Sequence, residues 1–273
     1  MRGIYFVKYN DRASTVMGGD QIAEALRARG YDAWTVSPRE VRDVRDAILV
    51  FIKTSRWWHV ERARSNGNRT VLDVQDTVAF NRRIKNQRLF DGMIWKNRRQ
   101  LKDFGRPSQA NRILYHQWDP RYVPNSLDGS RLAIGYFGIA NSFPFWGGVP
   151  GVDCFDEGYF RHALDYNCHV SVRTPGREYL YKPNCKVSTA AACAANLITT
   201  RDVSSVELLG DDYPFYVDSG GVYGVLAGIE KARETFRGPE WRRGLERMRE
   251  VREKTSMPRV IDGYIDYFVE LSG

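Results

Sequence analysis

The chain has 273 residues, 41 of them Lys or Arg and 33 Asp or Glu, for a formal charge of +8. With 42% hydrophobic, 13% aromatic and 27% charged residues, the composition is that of a globular protein and excludes intrinsic disorder, a collagen-like repeat or a coiled-coil rod. The length exceeds one ordinary core and suits two domains of roughly 100 to 150 residues each.

No apolar run approaches the roughly 18 to 20 residues that span a bilayer. The beginning of the chain reads as a short strand without a cleavage site, so the expectation is a soluble, unexported, cytoplasmic protein. Cys154, Cys168, Cys185 and Cys193 all lie in the second half without close pairing. They are expected to be buried free thiols in a reducing compartment.

Taken in chain order, β-branched runs alternate with helical patterns, which predicts an α/β architecture. A strand at 4–8 is followed by a polar loop, then by Gly18-Gly19-Asp20 opening a helix over 21–29 that Gly30 closes. Strands follow at 33–36 and at 47–52, the latter fully apolar and so expected to be central in a parallel sheet. A helix at 57–64 and strands at 70–74, 92–95 and 113–115 complete the first half. Residues 118–130 lose periodicity and carry Pro120, Pro124, Asn125, Gly129 and Ser130, a linker composition.

The rhythm restarts with a strand at 132–137, a Gly/Pro/Phe-rich loop to 152, a helix near 157–163 and a strand at 169–172. Next come a helix at 188–194, a strand at 196–200, a helix at 204–208 and a strand at 214–217. The tail carries an Arg-rich amphipathic helix through Trp241, Leu245, Met248 and Val251, and a last helix at 259–271. Two restarts of one rhythm predict two Rossmann-like domains facing each other across a hinge and cleft, at 1–120 and 131–257, with 258–273 as a helix that joins the first.

In open parallel sheets ligands bind beyond the carboxyl ends of the strands. The most informative segment there is Lys182-Pro183-Asn184-Cys185-Lys186-Val187-Ser188-Thr189, running into an alanine-rich helix. Two lysines four apart, a helix start carrying Ser188 and Thr189, and small residues that permit close approach form a combination able to hold a diphosphate. An alanine-rich helix packed on a sheet, with solvated lysines, is the plainer reading of the same residues.

The run from Lys182 through Ala190 and Ala192 to Ile198, followed by Glu207-Leu208, resembles the donor-site signature of GT-B glycosyltransferases of the retaining group. In that family a basic residue precedes a small-residue helix and a Glu-Leu pair opens the next one. Gly18-Gly19 resembles the family's glycine-rich loop, which faces the transferred sugar and its phosphate. The strand ending at Asp73-Val74-Gln75-Asp76 resembles the one that ends at an acceptor-side His or Asp. Many retaining members also carry two glutamates eight apart. Here those positions are Tyr181 and Thr189, and Glu178 is either a substitute for the first carboxylate or an ordinary surface residue.

The resemblance implies a nucleotide-sugar-dependent, hexosyltransferase-like enzyme that needs no metal or other cofactor. Lys182, Lys186, Ser188 and Thr189 would hold the donor diphosphate, with Gly18, Gly19, Glu207 and Glu178 as further donor contacts. Asp76 is the candidate base or acceptor-orienting group, and Asp20 the second choice. Each of these two aspartates is equally readable as a helix cap.

Asp211-Asp212 reads as a turn rather than a metal site, and His59, His116, His162 and His169 lack zinc-ligand spacing. Gly135, Gly138, Gly147 and Gly148 lack the dinucleotide fingerprint. Arg82, Arg83, Lys85, Arg88, Lys96, Arg98, Arg99, Lys102 and Arg106 crowd one stretch. They form either a solvated helical face or a basic face for an anionic acceptor, such as a lipid-linked intermediate at a membrane surface, an acidic polysaccharide or nucleic acid.

Two functions stand. One is transfer from a UDP-, GDP- or dTDP-sugar to a glycan or lipid-linked acceptor, with modified DNA bases as a minor variant. The other is a non-catalytic two-domain protein that binds nucleotides or nucleic acid.

Overall fold

The structure, a computed structural model, describes residues 2–81, 84, 86–127, 129–139, 143 and 148–272. In chain order the first part forms β1 (Ile4–Val7), α1 (Ala13–Thr15), α2 (Ile22–Ala28), β2 (Ala33–Val36), β3 (Ile48–Ile52) and α3 (Trp57–Ser65). It continues through β4 (Arg69–Asp73), α4 (Thr77–Phe80), β5 (Gly92–Trp95), α5 (Arg98–Phe104) and β6 (Ala110–Ile113). The strands pair in parallel in the order β2-β1-β3-β4-β5-β6. All five residues of β3 are buried, as a continuous apolar run covered on both faces requires. The strand order reverses between β1 and β3, which makes their carboxyl ends the topological switch point of this sheet.

The second part forms β7 (Ile134–Phe137), β8 (Asp153–Phe155), α6 (Tyr159–His162), β9 (Cys168–Ser171), α7 (Arg177–Tyr181), α8 (Cys185–Ala192) and β10 (Asn196–Thr200). α9 (Val203–Leu209), β11 (Tyr216–Val217), α10 (Val222–Thr235) and α11 (Pro239–Lys254) follow. Its strands are also parallel, ordered β11-β10-β9-β7-β8, with the switch point between β7 and β9. α12 (Met257–Ser272) closes the chain. The first compact unit comprises residues up to Gln117, Tyr181–Pro183 and Ser256 onward; the second comprises Trp118–Leu180 and Asn184–Thr255.

α12 belongs to the first unit because its stripe of Val260, Ile261, Tyr264, Tyr267, Phe268 and Leu271, at helical spacing, completes the core around Ile4, Phe6, Ile22 and Leu26. Gly92 makes that docking fit, since a β-carbon there would collide with the Tyr267 hydroxyl. In the second unit α10 approaches β10 and β11 through Gly228, whose β-carbon would stand 2.8 Å from Val217 Cγ1.

Several sequence-based boundaries shift. The glycines do not precede the first helix: the chain turns helical at Ala13, and Gly18 and Gly19 lie inside a π-helical turn, Val16–Gln21, that leads into α2. The strand expected at 113–115 is instead Ala110–Ile113, because Ala110 pairs with Gly92, and Leu114 N–H makes a further bond to Trp95 O as the strand ends. β8 falls in a stretch read as loop. α8 begins three residues earlier than its alanine run suggests, so Lys186 is its second residue and Ser188 its fourth.

Cys168 and Cys193 are buried free thiols, while Cys154 and Cys185 are only half-buried. Burial raises the Cys168 and Cys193 thiols to about 12, which leaves them unreactive. Among the described residues no helix is long and apolar enough to cross a membrane.

Candidate active site

In the first unit, charged side chains collect where β1, β3 and β4 end. Lys8, following β1, pairs with Asp20 at 2.5 Å and Asp11 at 2.8 Å. Asp20 sits in the π turn and makes no cap bond, so its partner is a lysine rather than a helix terminus. A β-carbon on Gly18 would stand 2.8 Å from Gln75 Nε2, and one on Gly19 2.7 Å from Ile52 Cδ1. That close approach of helix to sheet accounts for a glycine at each position.

Lys53, in left-handed backbone just after β3, places its Nζ 2.8 Å from Asp76 Oδ1. Asp76 occupies the position before α4, yet its side chain makes no capping bond. It lines a cavity of about 570 Å³ with Arg12, Lys53, Thr54, Thr77 and Phe80. Phe80 is 56% exposed and lies under two cations, Lys182 Nζ at 5.5 Å and Lys53 Nζ at 6.0 Å from the ring centre. The first unit thus brings Asp76, Lys53 and Lys182 around one ring, a pocket whose wall offers a carboxylate to a hydroxyl group and cations to an anion.

Behind that wall is a fully buried carboxylate that sequence reasoning missed. Asp73 Oδ2 accepts hydrogen bonds from Gln75 Nε2 at 2.7 Å and Tyr264 Oη at 3.1 Å, and pairs with Lys96 Nζ at 3.0 Å. Gln75 holds left-handed backbone at φ 53°, and its carbonyl oxygen accepts from Gln100 Nε2 at 2.8 Å. The available signal was a charged residue directly after a short apolar run in each of two strands, Asp73 after Val71-Leu72 and Lys96 after Met93-Ile94-Trp95.

In the second unit Lys186 lies at the switch point. Its Nζ donates to Phe137 O, at the carboxyl end of β7, and sits 4.3 Å from the centre of the Tyr136 ring. Gly138 follows at φ 157°, and any side chain there would collide with Lys186 Nζ. Next to it Asn184 Nδ2 donates to Ser205 Oγ at 2.8 Å, and Asp202 caps α9 by accepting from Ser205 N–H at 3.1 Å. Ser188, the fourth residue of α8, is buried and Thr189, the fifth, is half-buried. Glu207 is half-buried in the second turn of α9 rather than opening it, and Glu178 is half-buried in the first turn of α7.

His169, a core residue of β9, packs on Phe137 with ring centres 4.6 Å apart. Burial, and then the Lys186 charge, push its pKa down to about 3. The folded imidazole therefore stays neutral to about pH 3, whereas the unfolded one takes a proton near 6.5. Between those values the unfolded state binds more protons, so stability falls as pH drops. Between pH 6.5 and 5 the expected loss from this group is roughly 2 kcal/mol. Urea unfolding of the native protein and of His169→Gln at pH 7 and 5 checks it: the variant should lose less on acidification. An equal loss would assign the acid sensitivity elsewhere.

The basic stretch read from the sequence does not form one face. Lys96 is buried against Asp73, Arg99 pairs with Asp103 at 2.6 Å on α5, and Arg88 and Arg106 line a separate pocket. Arg82, Arg83, Lys85 and Gly147 lie outside the described residues.

No family model and no curated protein matches the chain. Solved structures do. A sucrose-phosphate synthase from Thermosynechococcus elongatus superposes with a TM-score of 0.70 at 11% identity, covering 99% of each chain. HepE from Anabaena, in complex with UDP and glucose, gives 0.70 at 6% identity over 98% of this chain and 100% of its own. A glycosyltransferase from Rickettsia africae gives 0.69 at 9% identity over 99% and 98%. At such identities the likeness is one of fold: two parallel α/β sheets in two Rossmann-like domains, the GT-B architecture.

Proposed function

We propose that the protein is a glycosyltransferase that moves a sugar from a nucleotide-sugar donor to a glycan or lipid-linked acceptor. The observation that carries this reading is Lys186, a cation held at the carboxyl end of β7 beside the first turn of α8, at the switch point of a GT-B second domain. A diphosphate seated there would meet a full positive charge, the positive end of the α8 dipole and a glycine that keeps the approach open. HepE, of the same fold, is described in complex with UDP and with UDP-glucose.

In this reading the second unit takes the donor, the first takes the acceptor, and Asp76 is the base. Lys186 and the helix start supply the charge that a metal would otherwise bring. Thr189, Glu207 and Glu178 remain proposed donor contacts, and Lys182, which belongs to the first unit, is proposed for the acceptor side beside Phe80. An anionic acceptor, met in the cytoplasm or at a membrane surface, suits the cations around Phe80.

The test is a thermal-shift screen over UDP-, GDP- and dTDP-sugars followed by donor hydrolysis. A ligand at a hundred times its Kd stabilises the native state by about 2.7 kcal/mol. Absence of both binding and hydrolysis for all three classes overturns the reading. Binding without hydrolysis or transfer favours a non-catalytic nucleotide-binding protein, an alternative supported by Tyr181 and Thr189 standing where paired glutamates would be.

Lys186→Ala should weaken UDP or GDP binding by roughly ten- to a hundredfold, the equivalent of a charge-assisted hydrogen bond of about 1.5–3 kcal/mol. Isothermal titration of the nucleotide that the screen selects measures this, and an unchanged affinity would remove Lys186 from the phosphate site.

A further inference from the structure

The first unit has a second cavity, of about 530 Å³, at the end of its sheet opposite the Asp76 pocket. Arg69 opens β4, Asp91 immediately precedes β5 and Ala110 opens β6, so the amino ends of three adjacent strands form its floor. Arg64, Arg69, Arg88 and Arg106 reach its wall, with Phe90 and Leu271 as the apolar contribution.

Two of the local charges cancel. Arg64 donates to Asp91 Oδ1 at 3.0 Å and to Leu89 O at 2.9 Å, while Asp91 Oδ2 accepts from Thr70 N–H at 2.8 Å. Glu270 at the rim is taken up by Arg112 at 2.6 Å. Arg69 is left 3.9 Å from the already paired Asp91, and Arg88 and Arg106, which line the same cavity, form no ion pair with a carboxylate among the described residues. Three guanidinium groups therefore line one concave site with little to neutralise them, around a floor that hydrogen bonds hold rigid.

We propose that this cavity is an anion site for a phosphomonoester, separate from the place of glycosyl transfer. A phosphomonoester carries nearly two charges at pH 7 and three acceptor oxygens, which guanidinium groups recognise by charge and by paired N–H donors. A carboxylate offers one charge and two oxygens. The cavity, of about 530 Å³, is larger than one phosphate and leaves room for the attached group. The same headgroup chemistry is presented by a soluble sugar phosphate and by a phosphatidic acid surface.

The experiment uses the full chain and the variant Arg88→Ala/Arg106→Ala, whose side chains are exposed. Isothermal titration with inorganic phosphate and with a hexose phosphate is run beside flotation with phosphatidic acid vesicles, and with glucuronate as the carboxylate control. The expected result is phosphomonoester binding in at least one arm that weakens tenfold or more in the variant, while Arg88→Lys/Arg106→Lys keeps part of it. Binding in the titration arm alone identifies a soluble ligand, and binding in the flotation arm alone a lipid headgroup. No binding in either arm, equal binding by the alanine variant, or glucuronate binding as tight as phosphate overturns the proposal. None of these readouts depends on glycosyl transfer.

Discussion

Lys96→Met should cost the native state about 3–5 kcal/mol, because it leaves the Asp73 carboxylate buried without its counter-charge. Both partners are out of water, with side chains 3% and 0% exposed. Gln75 Nε2 and Tyr264 Oη still donate to Asp73 Oδ2 after the substitution, but neither carries charge. The companion variant Asp73→Asn/Lys96→Met removes both charges and should recover much of the loss, since replacing a buried ion pair as a whole is often close to neutral. Urea unfolding of the two variants and the native protein gives the comparison. A single variant within 1 kcal/mol of the native protein would mean that the pair is not the electrostatic centre of this core. Tyr264 lies on α12, so the single variant should also loosen that helix, which amide exchange over 257–272 would register.

The doubly wound architecture was legible because it rests on backbone periodicity. The fully apolar, β-branched run 48–52 reads as a strand covered on both faces, and 118–130, with Pro120, Pro124 and Gly129, breaks one rhythm from the next. The helix α10 was not legible. α10 contains Gly224 and Gly228, which depress helical propensity in isolation; Gly228 lets the helix lie close to Ile198 and Val217 of the sheet, and Gly224 lets it approach the Ser219 backbone. The π turn at Val16–Gln21 was hidden for a related reason, since Gly18 and Gly19 look like loop residues until Gln75 and Ile52 are seen against them.

The candidate site was legible at single positions and illegible in its pairings. Asp76 and Lys186 could be named from their places at strand ends and helix starts. Lys53, which fixes Asp76, is 23 residues away in sequence, and Lys96 and Tyr264 reach Asp73 from distances that no local pattern encodes. A run of basic residues likewise gives no hint of how it divides. Lys96 turns inward and Arg106 outward because the first follows a central strand and the second an exposed helix end.

For the proposed glycosyl transfer, Asp76→Asn should slow turnover by a factor of about 10²–10⁴, the usual worth of a general base, while leaving donor affinity unchanged. The substitution is nearly isosteric, and its carbonyl oxygen can still accept from Lys53 Nζ, so the cavity wall keeps its form. What is lost is the capacity to take a proton from an acceptor hydroxyl. Asp20 makes the control: its carboxylate is tied to Lys8 at 2.5 Å, so Asp20→Asn should disturb packing at the π turn more than turnover. Steady-state transfer and donor titration for both variants separate the roles. A kcat reduced in Asp76→Asn with KM for the donor intact places the base there. Equal loss of turnover and donor affinity in that variant would instead make Asp76 a support for the wall. Turnover within threefold of the native enzyme would move the proton transfer to another group, with Asp20 next to be tested.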